Sequence, residues 1–246
     1  MTKQIATVTS FPRNDKFCYE PCTAKRSNLI KKCAFTLAEV LITLGIVVVV
    51  AAMTLPVLIQ NYQKQVWVNQ LKKSVSVLGQ GFQKMMADEE VSDLRHTQFF
   101  GNIDEESLDS YSLNMDDSVL TPKNDILKKY FNIVKIEKFP IGDDYSCLDK
   151  SKNCYSMCSD AITITLSDGI QFDIYNKSIT IDVNGKDKNP NQFGRDTFLF
   201  EVDDRGLVVP LYKNTWTNSD YSGCGIRATG YGCAARIIEN DWKMDY

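Results

Sequence analysis

The stretch that decides the reading is KKCAFTLAEVLITLGIVVVVAAMTLPVLIQNYQKQ, residues 31–65. Its centre is almost wholly apolar. The 25 residues 35–59 span about 37 Å as a helix, enough for a hydrocarbon core of roughly 30 Å. Residues 47–52 (VVVVAA) are apolar on every face, which separates this run from the one-sided core helix of a soluble domain. Two residues break the pattern. Glu39 lies four positions after Phe35, where a carboxylate costs on the order of 3 kcal/mol or less near an interface and marks a functional position. Pro56 removes one helical hydrogen bond and crowds the carbonyl of Ala52.

Charge is distributed unevenly around this run. The whole chain of 246 residues carries 28 basic and 31 acidic groups, a net charge of −3. Residues 1–34 hold seven of the basic and two of the acidic groups, +5, and the other 212 residues hold 21 against 29, −8. A basic head, an apolar run and an acidic body form a targeting arrangement. Lys31 and Lys32 stand just before the run, so the positive-inside rule places 1–34 in the cytoplasm and the body across the membrane. This balance does not suit a nucleic-acid coat, and nucleic acid is not an expected partner. His96 is the single histidine, which excludes a three-histidine zinc site. No GxxxxGK[ST], GxSxG, HExxH or CxxC motif occurs, and the chain is expected not to be an enzyme.

Three routes could process such an N-terminus. A lipoprotein signal needs its apolar residues before the cysteine, whereas Cys33 precedes them. A secretory signal would be cut after the run, near Ala51 and Ala52, which leaves Glu39 without a role. Cleavage before the run leaves the helix attached. The third route has a family behind it: residues 31–65 resemble the N-terminus of type IV prepilins and type II secretion pseudopilins. The features that carry the resemblance are Lys31, Lys32, the small Ala34, Phe35-Thr36-Leu37, Glu39 and Pro56. The family usually has glycine before the cut, where this chain has Ala34, and a glycine eight residues before the proline, where it has Val48.

The resemblance implies cleavage between Ala34 and Phe35 by a prepilin peptidase, then methylation of the Phe35 amine. It also implies a subunit held in the inner membrane by one helix, N-terminus cytoplasmic, then packed into a periplasmic or surface filament. Its partners are other pilin or pseudopilin subunits, the prepilin peptidase and the inner-membrane assembly machinery. Glu39 and Pro56 are the assembly residues. A carboxylate from one helix can pair with the charged N-terminal amine of a neighbour as both enter an apolar bundle; the plainer alternative is that Glu39 reaches out to the headgroups.

Beyond the span the periodicity changes. Val68, Leu71, Val75, Leu78, Phe82 and Met85 follow a 3-4-3-4-3 spacing, the packing stripe of an amphipathic helix, and Tyr62 and Trp67 suit an interfacial belt. The reading divides the chain into a cleaved leader 1–34, a membrane and filament-core helix 35–59, an amphipathic continuation 60–87 and a head 88–246. Residues 88–121 read as a polar loop. A helix is expected from Thr121-Pro122 to about Val134, with Ile126, Leu127, Tyr130, Phe131 and Val134 on its apolar face. Alternating runs at 161–166, 169–175, 178–183, 197–202 and 207–211 predict an antiparallel meander, and 233–246 a last strand anchored by Trp242. The expected fold is α+β: a long N-terminal helix, transmembrane then amphipathic, packed on an antiparallel sheet, the ladle shape of pilins.

Two groups of head residues invite a chemical reading. DVNGKDKNPNQFGRD, residues 182–196, resembles a sheet-to-sheet loop of pilin-like proteins, some of which bind calcium there. Asp182, Asn184, Asp187 and Asp196 supply hard oxygen ligands, so structural calcium is a candidate cofactor. The alternative is a rigid turn whose aspartates cap the backbone. Five cysteines follow the expected cut and should be oxidised outside the cytoplasm. Cys224 and Cys233 flank GIRATGYG and resemble the C-terminal disulfide loop of pilins. Among Cys147, Cys154 and Cys158 one pair can form, leaving one thiol; a zinc site is a weak rival. The expected function is a structural filament subunit, major or minor, of a type IV pilus or type II secretion system. The alternative is a binding module, an adhesin or DNA-uptake minor pilin, on the same anchor.

Overall fold

A computed structural model describes residues 36–101, 117–138, 145–152, 154, 161–217, 221–225 and 227–246, with backbone alone for 117–122 and 138. Ala34, Phe35 and Cys158 lie outside the described residues. The chain separates into two compact units, Met1–Val50 and Ala51–Tyr246.

In the first unit the described residues are Thr36 and the opening of helix α1, which runs Leu37–Asp88. Every residue from 36 to 50 is exposed. An 18-residue window of α1 has a mean hydropathy of 2.7 with none of it buried. Among the described residues this is the one helix long and apolar enough to cross a membrane. An apolar helix without protein cover is stable where lipid is the solvent, because its backbone groups are satisfied internally.

The second unit is built on the other half of α1. Trp67, Val68, Leu71, Leu78, Phe82 and Met85 are buried there and belong to one contiguous apolar cluster. Trp67 is thus a core residue and not part of an interfacial belt, since it falls on the same helical face as Leu71 and Leu78; Tyr62 is 70% exposed. The opposing surface is a sheet of six antiparallel strands in sequential order. The strands are β1 Ile133–Lys138, β2 Ile162–Leu166, β3 Gln171–Tyr175, β4 Ser178–Asp182, β5 Thr197–Val202 and β6 Val208–Pro210. Register places Ile164, Phe172, Ile181 and Phe198 in one cross-strand row and Ile162, Ile174, Ile179 and Phe200 in the next. All eight side chains are buried in the cluster that holds the α1 stripe. The architecture is α+β.

Helix α2, Asp117–Tyr130, starts earlier than Thr121 and stops before Val134. Phe131 is still core, but Val134 is 66% exposed on strand β1. The chain changes period at Asn132, whose side-chain amide donates to Ser167 Oγ at 2.8 Å, and β-branched Ile133, Val134 and Ile136 favour the strand. The C-terminal segment is also corrected. Cys233–Glu239 is helix α3, not a strand. Its adjacent isoleucines suggested a strand, yet Cys233, Ala234, Ala235 and Ile237 are all buried, with Cys233 and Ile237 one helical turn apart, and the two alanines are strong helix formers.

Glycines 79 and 81 of α1 differ in purpose. A Cβ on Gly79 would meet nothing within 4 Å, whereas one on Gly81 would lie 2.2 Å from the Phe131 ring. Gly81 lets α1 and the end of α2 approach closely. Gly79→Ala should therefore stabilise the protein by up to about 1 kcal/mol. Gly81→Ala should destabilise it by about 1–3 kcal/mol. Urea unfolding of both variants in detergent measures the contrast, and equal effects would remove the packing argument.

Candidate functional site

The first candidate site is the start of α1. Thr36 N and Thr36 Oγ1 both donate to Glu39 Oε2, at 2.9 and 2.8 Å, and Glu39 N donates to Thr36 Oγ1 at 3.2 Å. This is a reciprocal capping box: the threonine and the carboxylate three residues on satisfy backbone donors that the first helical turn leaves unpaired. The signal T-x-x-E is legible in TLAE, residues 36–39. Glu39 Oε1 takes part in none of the three bonds. A little further on, Thr43 Oγ1 donates to the Val40 carbonyl at 3.0 Å, so this hydroxyl too is satisfied within its own helix. Pro56 sits inside α1, at an exposed stretch of the helix.

The second candidate site is the loop between β4 and β5. Asp182 and Asp196 are buried, at 1% and 0% exposure. Asp182 Oδ1 accepts from Asn184 N at 3.2 Å and Gly185 N at 2.8 Å. Asp196 Oδ2 accepts from Asn191 N at 2.9 Å and Oδ1 from Gln192 N at 2.7 Å. Both aspartates therefore work as backbone caps. Asp187 is exposed in the turn between them. Among the described residues no three or more His, Cys, Asp or Glu side chains gather as a metal cluster. Asp182 Oδ2, Asn184 Oδ1 and Asn191 Oδ1 are nevertheless buried oxygens without a donor.

Burial, helped by the charge of Asp196, pushes the Asp182 carboxyl up to about 7 against the pull of its two backbone N–H partners. Burial likewise raises Asp196 and, one strand away, Asp173. Asp173 accepts from Thr163 Oγ1 at 2.8 Å and Tyr145 Oη at 3.1 Å. The sequence reading missed Asp173 because its strand alternates in the ordinary way. The Tyr145 segment, distant in sequence, reaches that face and clusters with Phe193 and Tyr231.

The cysteines fasten this region. Cys224 is bonded to Cys233, and Cys147 to Cys154. Each bridge closes a short loop of about 10 residues or fewer, worth about 2–3 kcal/mol in the chain-entropy model. Because Cys147 and Cys154 hold each other, neither is a zinc ligand. Ser146 N donates to Asn191 O and Phe193 N to Ser146 O, both at 2.9 Å. Leu148 N donates to Thr229 O at 2.7 Å, and Gln192 Nε2 to Cys147 O at 2.7 Å. The capped loop, the first disulfide loop and the second are thus hydrogen-bonded in series. Gly194 has φ +80°, and a Cβ there would lie 2.6 Å from Cys233 Sγ. No family model, curated protein or solved structure matches the chain.

The raised Asp182 predicts an unusual pH dependence. Between about pH 4 and 7 the folded protein retains a proton that the unfolded chain has lost, so stability falls as pH rises through that window, and the full cost is present above 7. Unfolding in urea at pH 5 and pH 8 should show a loss on the order of 2 kcal/mol. Asp182→Asn should abolish most of it. A parent whose stability rises from pH 5 to pH 8 would contradict this.

Proposed function

We propose that this chain is a non-enzymatic, membrane-anchored filament subunit of the type IV pilin or type II secretion pseudopilin kind. One observation carries the reading. A single helix, α1, is exposed and apolar in its first half, begins at a capped carboxylate beside a prepilin-like cleavage sequence, and in its second half forms the core of an antiparallel-sheet domain. In a bilayer the first half is solvated by lipid; in a filament, copies of it would replace lipid as one another's packing partners. The ladle shape of pilins belongs to this proposal, as do a cytoplasmic N-terminus, cleavage after Ala34 and the prepilin peptidase and assembly machinery as partners.

The capping box refines the role of Glu39. In the single subunit Glu39 Oε2 serves its own helix, and the other carboxylate oxygen is the one for a neighbour's N-terminal amine. Pairing there offsets the desolvation of both charges. The mature protein should begin at N-methylated Phe35 by mass spectrometry. A chain starting near Met53 would establish an ordinary secretory signal instead. Glu39→Gln keeps a capping-box acceptor and loses the charge. It should remain cleaved and membrane-bound while filament incorporation drops. Thr36→Val removes the cap and keeps the charge, and should incorporate better than Glu39→Gln. Normal filament yield from Glu39→Gln would sink the amine pairing.

The reading also includes calcium in the 182–196 loop, supported by the three buried oxygens without donors. Asp182, Asn184 and Asn191 would hold it through those oxygens, with Asp196 adjoining and Asp187 left out. The ion would supply charge neutralisation for the two close carboxylates. Melting in millimolar calcium should exceed melting in chelator for the parent and not for Asp182→Ala. An unchanged parent melting temperature would leave the loop a capped turn only.

A further inference from the structure

Directly after the apolar run, α1 turns one polar face toward the C-terminal segment. Asn61, Gln65 and Asn69 stand at i, i+4 and i+8, with Lys64 beside them. With Trp242 and Lys243 they line a groove of about 490 Å³. Its lining includes two lysines and no carboxylate. The wall opposite α1 is held in place. Tyr246 Oη donates to Gly194 O at 2.7 Å, and Arg236 pairs with Asp245 at 2.9 Å. The Lys64 ammonium donates to the Tyr246 carbonyl. The Lys72 ammonium lies 5.6 Å from the Trp242 ring centre. Trp242 has φ +58° and Asp241 φ +51°, left-handed conformations that a bulky residue adopts only when its surroundings impose them. Asp245, the acid next to this wall, pairs with Arg236 and also interacts with the Lys64 charge, and Asp241 is exposed.

We infer that this groove binds the headgroup of an anionic phospholipid. The inference rests on the reading of 35–59 as bilayer-embedded. With Ile59 as the last apolar residue, a rise of about 1.5 Å per residue puts Asn61 about 3 Å, Lys64 about 7 Å and Asn69 about 15 Å beyond it. A leaflet's polar layer is about 5–8 Å deep, so the groove's membrane-proximal end, at Asn61 and Lys64, lies at phosphate level. The chemistry fits a phosphodiester. The exposed Lys243 ammonium meets its charge, with Lys64, already donating to the Tyr246 carbonyl, adding to the field; side-chain amides donate to its oxygens, and the indole supplies the amphipathic surface that favours the boundary between chain and headgroup. The neutral phosphatidylcholine headgroup offers a bulky cation to the same lysines and is disfavoured.

The test uses the full chain in nanodiscs holding phosphatidylcholine and phosphatidylglycerol in equal amounts, with the lipid retained on release identified by native mass spectrometry. Phosphatidylglycerol should be retained about tenfold over phosphatidylcholine. Lys243→Gln, at an exposed position, should lower that ratio about fivefold. Lys64→Gln combined with Lys243→Gln should abolish it, and Lys213→Gln, which does not line the groove, should leave it unchanged. Equal retention of the two lipids by the parent overturns the inference. So does a loss in Lys213→Gln as large as in Lys243→Gln. Flotation of the same chain on phosphatidylcholine vesicles tests the anchor separately. A chain that does not float overturns both readings, and one that floats without a preference for phosphatidylglycerol overturns this one alone.

Discussion

The packing of one helical stripe on two cross-strand rows is the interaction on which the second unit depends. Leu71, Leu78, Phe82 and Met85 of α1 share a cluster with Phe172, Ile174, Ile181, Phe198 and Phe200 of the sheet. A meander of six short strands has one face to cover, and no other helix of comparable length is available among the described residues. Its edges are tied to the same helix by polar contacts. Lys73 reaches Asp168 in the β2–β3 turn at 2.6 Å, and the Gln83 amide donates to the Arg205 carbonyl in the turn before β6. The exposed ion pair adds little energy but fixes register.

One continuous helix therefore carries two different surfaces. Its second half is amphipathic because protein covers one side and water the other. Its first half has no polar face at all, and the hydroxyl and carboxylate groups it does carry are satisfied locally, Thr43 by a carbonyl one turn back and Glu39 by the Thr36 cap. Local satisfaction is what lets polar groups reside in an apolar run without a partner from elsewhere. It also means that any intermolecular use of Glu39 begins from a carboxylate already engaged and oriented.

The far side of the sheet is organised by backbone capping and covalent closure in place of a large core. Asp182 and Asp196 hold the β4–β5 loop, which pairs with residues 146–148, which pair in turn with 228–229. The two disulfides then close both partner segments. The cost is electrostatic: burial makes each of three aspartates prefer its proton more than an exposed aspartate does, and at Asp182 the charges of Asp196 and Asp173 add to it. Burial of these carboxylates makes the stability of this side of the sheet sensitive to proton binding.

The sequence by itself determined the apolar span, the change to a 3-4 stripe after it, five of the six strands and the α+β class. These are local periodicities, set by side chains within a few residues of one another. It also held the T-x-x-E cap, legible but unread. The tertiary structure alone decided the rest. Trp67 moved from the membrane boundary into the core because its helical face meets the sheet. Val134 left the helix because Phe131 packs against Gly81 and ends it there. The segment from Cys233 became a helix because Cys233 and Ile237, one turn apart, both enter the core, a pattern that the two adjacent isoleucines disguise. Asp173 became a buried carboxylate because Tyr145 folds over it. Each of these turns on which distant segment covers a residue, and coverage is a property of the packed chain that no local pattern records.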